Sequence, residues 1–288
     1  MNKKYAVHAT LTFALLALAN TAAWSHANIV PKDNLDAYTG RSYEEGTSAF
    51  MEISLGHGCR SDQGVAFPTR HVSAVFPNGE DLSGIAYTVD GSGTRYAGNA
   101  LYGIKPSVDG DWDSIHPIPG TVAQYYSHGA KSGDVRAIHW LGGFVPDSMY
   151  ENLEFKASLP KLDSCVGKLR VYIPVVQYCD SGLKNAWVKT PTANFPAEVI
   201  SAGYAPFIDV LRNESKNPLS AECGGVGQTV EVYPKDADVD EFLPVNGVTA
   251  KADVDDADGG NDNRAASGDW FVLLALAGMM LLRRARCG

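Results

Sequence analysis

The sequence predicts an all-β sandwich, and three observations carry that prediction. Short runs of alternating apolar and polar residues dominate the middle of the chain. Clusters of Gly, Pro, Asn and Asp separate these runs, and the 29 glycines and 15 prolines suit a chain with many turns. Few segments show a sustained helical period. Period-two patterning of this kind places every second side chain on one buried sheet face.

The runs come in order along the chain. Phe50-Met51-Glu52-Ile53-Ser54-Leu55 is the first clear one, and Val72-Ser73-Ala74-Val75-Phe76 is the second. Val135-Arg136-Ala137-Ile138-His139-Trp140, Leu153-Glu154-Phe155-Lys156-Ala157 and Leu169-Arg170-Val171-Tyr172-Ile173 follow. In each, apolar residues recur at every second position, as a strand with one buried face requires, with extra apolar residues such as Phe50, Val75 and Ala137 off that face.

Both ends of the 288-residue chain differ from this middle. Lys3 and Lys4 precede the apolar run Leu11–Ala19, and small residues follow, the pattern of a secretory signal. Cleavage after Ser25 uses the small pair Ala23 and Ser25, whereas cleavage after Ala27 uses Ser25 and Ala27; the pattern fits both. From Asp236 the chain turns acidic, and large apolar residues nearly vanish between Val248 and Asp269, which predicts a solvated, disordered linker over 235–268. A calcium loop at Asp253–Gly260 is disfavoured, because the glycine and the closing carboxylate of such a loop are out of place. Trp270–Leu282 is apolar and ends in Arg283-Arg284-Ala285-Arg286. Thirteen or so residues at about 1.5 Å each fall short of a bilayer core of roughly 30 Å. The segment resembles the bacterial Gly-Gly sorting tails, although the pair Gly259-Gly260 lies far from it. Residues 269–288 are therefore expected to contact the membrane or a sorting protease. The expected organisation is a signal over 1–25, a β-domain over 26–234, the linker, and the tail. The protein is expected in the periplasm or at the cell surface.

Charge and cysteines narrow the function. A formal net charge of -9 argues against nucleic acid, since phosphate contacts need a basic face. Cys59, Cys165, Cys179 and Cys223 lie in the β region, and Cys287 lies alone in the tail. An exported chain favours disulfides, and four cysteines allow three pairings. Without Cys-x-x-Cys, a thiolate zinc site or a thioredoxin-type dithiol is not supported. Neither Gly-x-Ser-x-Gly nor His-Glu-x-x-His occurs, and Gly224-Gly225-Val226-Gly227-Gln228-Thr229 lacks the lysine of a phosphate loop.

Cleavage after Ser25 makes His26 the first residue of the mature chain. Its free amine and imidazole Nδ1 can then close one chelate ring on a metal. Copper(II) prefers nitrogen donors in a tetragonal plane and stands at the top of the divalent affinity order. An amine pKa near 8 lets copper displace the proton at neutral pH. A copper(I) site needs soft donors, but outside the signal and tail only Met51 and Met149 remain.

Four motifs then occur in order. His57-Gly58-Cys59 and Pro68-Thr69 come first, followed by Trp140-Leu141-Gly142-Gly143-Phe144-Val145-Pro146-Asp147-Ser148-Met149-Tyr150, and then Pro174-Val175-Val176-Gln177-Tyr178-Cys179 with Trp187 beyond it. Over roughly 26–212 this order resembles the YcnI-like copper-binding family. The resemblance implies a cupredoxin- or immunoglobulin-like sandwich that holds copper(II) through the amine and imidazole of His26, with Trp140 beside the metal. It implies a Cys59–Cys179 disulfide, which leaves Cys165 and Cys223 to pair. It also implies a carboxylate at the site, for which Glu44, Glu45 and Asp147 are the candidates. The chain departs from the family in starting His26-Ala27-Asn28 where His-Val/Ile-Thr is usual, and in a longer stretch from Asp81 to Gly103.

Each candidate also has a structural reading. Trp140 alternates with Ile138, and on the pattern alone it reads as core. His139 points away from Trp140, because strand neighbours face opposite sides. His57 reads as a hydrogen-bonded turn residue, and His71, His116 and His128 lack recognisable ligand spacing. The expected function is copper(II) binding without catalysis, in trafficking, storage or homeostasis, with copper-transport or chaperone proteins as partners. A copper-dependent oxidative enzyme is the first alternative and requires a second histidine at the metal. A structural or adhesive surface domain is the second.

Overall fold

The computed structural model describes residues 27–31, 42–61, 63–189 and 203–243. The signal, the candidate ligand His26, the rest of the acidic linker and the tail lie outside the described residues. In chain order the strands begin with β1 (Asn28–Pro31), β2 (Ser42–Glu44), β3 (Ser48–Leu55), β4 (Cys59–Arg60), β5 (Ala66–Phe67) and β6 (Thr69–Val75). Then come β7 (Ala86–Val89), β8 (Arg95–Ala97), β9 (Tyr102–Pro106), β10 (Ser114–Tyr126), β11 (Ala130–Val145) and β12 (Glu151–Ser158). The last are β13 (Lys161–Leu162), β14 (Val166–Tyr172), β15 (Val175–Cys179), β16 (Lys184–Lys189), β17 (Gly203–Tyr204), β18 (Phe207–Leu211) and β19 (Gln228–Val232), and helix α1 (Asp236–Phe242) follows.

The fold is an all-β sandwich. One sheet has the order β1-β3-β12-β9 and is antiparallel throughout. A second has the order β10-β11-β6-β15-β16-β17, and a third, β19-β14-β18-β2, mixes parallel and antiparallel pairs. Alternation decides which side chains enter the core. Met51, Ile53 and Leu55 of β3 and Leu153, Phe155 and Ala157 of β12 point inward from the first sheet. Val72 and Ala74 of β6 and Ile138 and Trp140 of β11 meet them from the second, and Leu169, Val171, Ile208 and Val210 from the third. Phe76 and Phe155 close the interior with an edge-on ring contact at 5.4 Å. The long stretch from Asp81 to Gly103 contains the hairpin β7–β8, which β13 extends to three strands.

The ordered domain runs past the boundary expected at 234. Residues 236–242 form α1 rather than the start of a disordered linker. Asp236 and Asp238 occupy its first turn, where carboxylates oppose the partial positive charge of the helix N-terminus. Val239 and Leu243, four apart and so on one helix face, are buried on the outer side of the second sheet with Val75, Ala137, Val176, Ala186 and Val188. Asp238 also pairs with the guanidinium of Arg136 on β11.

Two disulfides join distant segments. Cys59 bonds Cys179 and Cys165 bonds Cys223, the pairings that the resemblance implied. Gln177, fully buried beside the first bridge, donates through Nε2 to the His57 carbonyl and to Thr69 Oγ1. The His-Gly-Cys, Pro-Thr and Gln-x-Cys motifs are thus one packed unit. Gly58 fits there because a Cβ would lie 2.4 Å from the Phe67 carbonyl oxygen.

Candidate metal centre

Trp140 is a core residue, 1 % exposed, opposite Ile115 on β10 and Val72 on β6. The glycine pair that follows it has a physical reason. Gly142 has φ +77°, and a Cβ there would lie 2.1 Å from an Asp113 carboxylate oxygen. A Cβ on Gly143 would lie 2.6 Å from the indole carbons of Trp112. The register between β11 and β6 shifts between Leu141 and Val145, so the pair forms the irregular step that seats Trp112. Trp112 is itself buried, and its indole N–H has no hydrogen-bond partner. Nothing in the sequence pattern singled it out; only the cross-sheet packing reveals it.

The first sheet places the start of the domain in the same large apolar core as these two tryptophans. β1 pairs with β3 so that Asn28 lies opposite Ser54, and one step further Ala27 falls level with Leu55. Ala27 is 4 % exposed and belongs to the same apolar cluster as Leu55, Trp112, Trp140 and Val145. On the far side of Leu55 stands Glu151, the first residue of β12. Burial raises the Glu151 carboxyl above the usual range, and the charges of Asp109 and Asp111 add to the effect. The Asn152 N–H, 2.9 Å away, works against it. Among the described residues Glu151 has no salt-bridge partner.

The three carboxylates considered from sequence have other roles. Glu44 accepts from Asn213 at 2.5 Å and from Lys216 at 3.0 Å. Glu45, 5 % exposed, accepts from the Leu162 and Asn213 N–H groups and from the Asn217 side chain. Asp147 is clamped by Arg60 through two bonds, and His57 Nδ1 lies 3.4 Å from it. His57 Nδ1 also lies 2.5 Å from the Gly58 carbonyl oxygen, so this ring is tied into its own turn. His71 and His139 sit on the sheet face opposite Trp140, since their strand neighbours Val72 and Trp140 fill the core. Burial lowers the pKa of both rings, with Arg70 adding for His71 and His116 for His139. Among the described residues no group of three or more His, Cys, Asp or Glu is placed to hold a metal. No helix among them is long and apolar enough to cross a membrane.

Fold and disulfides together define a bridged β-sandwich of the kind that suits an oxidising compartment. Residues 98–202 match the family described as a domain of unknown function, DUF1775, which is the YcnI-like family. The matched segment includes Trp140, Gly142, Gly143, Glu151 and Cys179. No curated protein matches the chain. Among solved structures, the chain is similar to an uncharacterized protein from Nocardia farcinica with an immunoglobulin-like fold. The two share 12 % identity at a TM-score of 0.36, over 65 % of this chain and 98 % of that one. It is also similar to a DUF4466 family protein from Parabacteroides merdae, at 9 % identity and a TM-score of 0.24, over 58 % of this chain and 43 % of that one.

Proposed function

We propose that the protein is an exported copper(II)-binding protein of copper trafficking, storage or homeostasis. Its ligands are the amine and imidazole Nδ1 of His26, freed by removal of residues 1–25, and Trp140 lies beside the ion. Copper(II) would be held there by two nitrogen donors, the donor type it prefers. One observation carries the reading: strand pairing puts Ala27, the residue after His26, in one row with Leu55 and Glu151, and in the main apolar core to which Trp112 and Trp140 also belong. Glu151 suits a cation better than Glu44 and Asp147, which already pair with Lys216 and Arg60, and better than Glu45, whose two oxygens already accept from Leu162, Asn213 and Asn217. A metal would bind the deprotonated form of Glu151, as with any carboxylate ligand. Binding is favoured over oxidative catalysis because His71 and His139 face away from Trp140 and His57 is held in its own turn. The C-terminal tail serves as the surface address.

Mass spectrometry of the secreted chain tests the first requirement, a mature N-terminus at His26. Copper(II) titration of that chain then gives a tight first equivalent. His26→Ala, or one extra residue before His26, removes it. Equal affinity in all three forms rejects the reading, and a titration with no defined complex favours a structural or adhesive domain.

A further inference from the structure

The outer face of the second sheet carries two histidines in direct cross-strand register. His116 on β10 lies opposite His139 on β11. Both point away from the core, because their neighbours Ile115 and Trp140 face inward. Directly paired strand residues have Cβ atoms about 5 Å apart, close enough for two imidazoles to converge on one ion at nitrogen–metal distances of about 2 Å. The next residue across the row is Ser73 on β6, 4 % exposed, whose Oγ lies 2.7 Å from His139 Nδ1. With Nδ1–H donating to Ser73, the lone pair of His139 lies on Nε2. This is how a metal-ligating histidine is usually oriented: the second nitrogen is anchored by a hydrogen bond and the first is left free. The row on one side is apolar, with Ile118, Ala137 and Val75 under α1.

We propose that His116 and His139 form a second, two-histidine site for a nitrogen-preferring divalent transition metal, copper(II) or zinc(II), with Ser73 as the residue that positions His139. The site is separate from the His26 reading, since it lies on the opposite face of the sheet from Trp140 and uses none of the same donors. Water completes the coordination, so binding is weaker than at a closed four-ligand site.

The test is a copper(II) titration of the mature full-length chain with the Cys287 thiol alkylated. Two equivalents are expected. The weaker one persists in His26→Ala and loses at least tenfold in affinity in His116→Ala and in His139→Ala. Zinc(II) added to His26→Ala should shift the ring resonances of both His116 and His139 in long-range proton–nitrogen spectra. His116→Gln, a polar replacement on an edge strand, separates loss of a ligand from loss of fold, as its unfolding midpoint stays at the wild-type value. Ser73→Ala weakens the second equivalent without abolishing it. A weaker equivalent that survives His116→Ala or His139→Ala unchanged, or zinc(II) that leaves both ring signals unmoved, overturns the proposal. If His26→Ala removes every equivalent, the second site falls while the first stands; if it removes none, the first falls while the second stands.

Discussion

Replacing Cys59 and Cys179 together by alanine should lower stability by about 5 kcal/mol. Both sulfurs are buried in the native domain, and the polar contacts that alanine removes there are the weak ones of Cys179 Sγ with the Cys59 N–H and Thr69 Oγ1. The magnitude comes from the unfolded chain. The bridge closes a loop of 120 residues. The chain-entropy relation gives a loss of about 16 cal/mol/K for such a loop, or about 5 kcal/mol at 25 °C. The second bridge does not shorten this loop, because the path through Cys165 and Cys223 is longer than the direct one. For a domain of this size, each kcal/mol moves the melting temperature by roughly 2–4 °C, so a fall of about 10–20 °C is expected by calorimetry. Cys165→Ala with Cys223→Ala opens a loop of 58 residues and should cost about 4 kcal/mol by the same relation. A fall of under about 3 °C for the first pair, or a larger fall for the second pair than for the first, would refute the reasoning.

Other outcomes follow from single side chains. Gly143→Ala forces a Cβ against the Trp112 ring and should cost about 1–3 kcal/mol in chemical unfolding, with a change in near-ultraviolet dichroism from the displaced indole. Arg212, 8 % exposed, donates to the carbonyls of Val166 at 2.7 Å, Asn217 at 2.9 Å and Leu162 at 3.1 Å, and also to Asp163. Arg212→Met removes all four bonds; Leu162 keeps the Asn217 side-chain donor and Asp163 keeps the Val166 N–H, so the cost falls on the Val166 and Asn217 carbonyls, and a loss of about 3 kcal/mol is expected from urea denaturation. Burial holds the Asp134 carboxyl above its ordinary range, although the Gly103 and Val135 N–H groups donate to it. A raised folded value means that the native state takes up the proton first. Its contribution to stability therefore grows as pH falls through that value and is complete below the unfolded value. Asp134→Asn should remove this increment, so its stability relative to wild type declines on acidification; a difference that is flat with pH would contradict the assignment.

Periodicity in the sequence was enough to locate β3, β6, β11, β12 and β14, because each turns every second side chain into the main core, even where Val75 and Ala137 are also buried on the other face under α1. The order of the sheets was not legible. Strands β6 and β11 are far apart in sequence, and no local pattern records that Val72 lies opposite Trp140. Helix α1 was hidden by composition. It offers two buried apolar positions within an acidic run, and the spacing of Val239, Phe242 and Leu243 was its only signal. The region of the proposed metal site divides in the same way. Trp140 and the glycine pair stood out as a motif, whereas Glu151 became a candidate only through its register with Leu55. Trp112 gained its role only through its contact with Gly143. The His116–His139 pair was invisible as spacing, since 23 residues separate two side chains that strand pairing makes neighbours.

The two sulfur bridges interleave along the chain, first cysteine to third and second to fourth. A polypeptide threaded through a membrane from its N-terminus presents Cys59 and then Cys165 to an oxidant before either correct partner has arrived. Oxidation in order of emergence therefore produces a wrong bond, and reaching the native arrangement requires thiol exchange. Yield in a secreting host should accordingly depend on a disulfide isomerase more than on the strength of the oxidant.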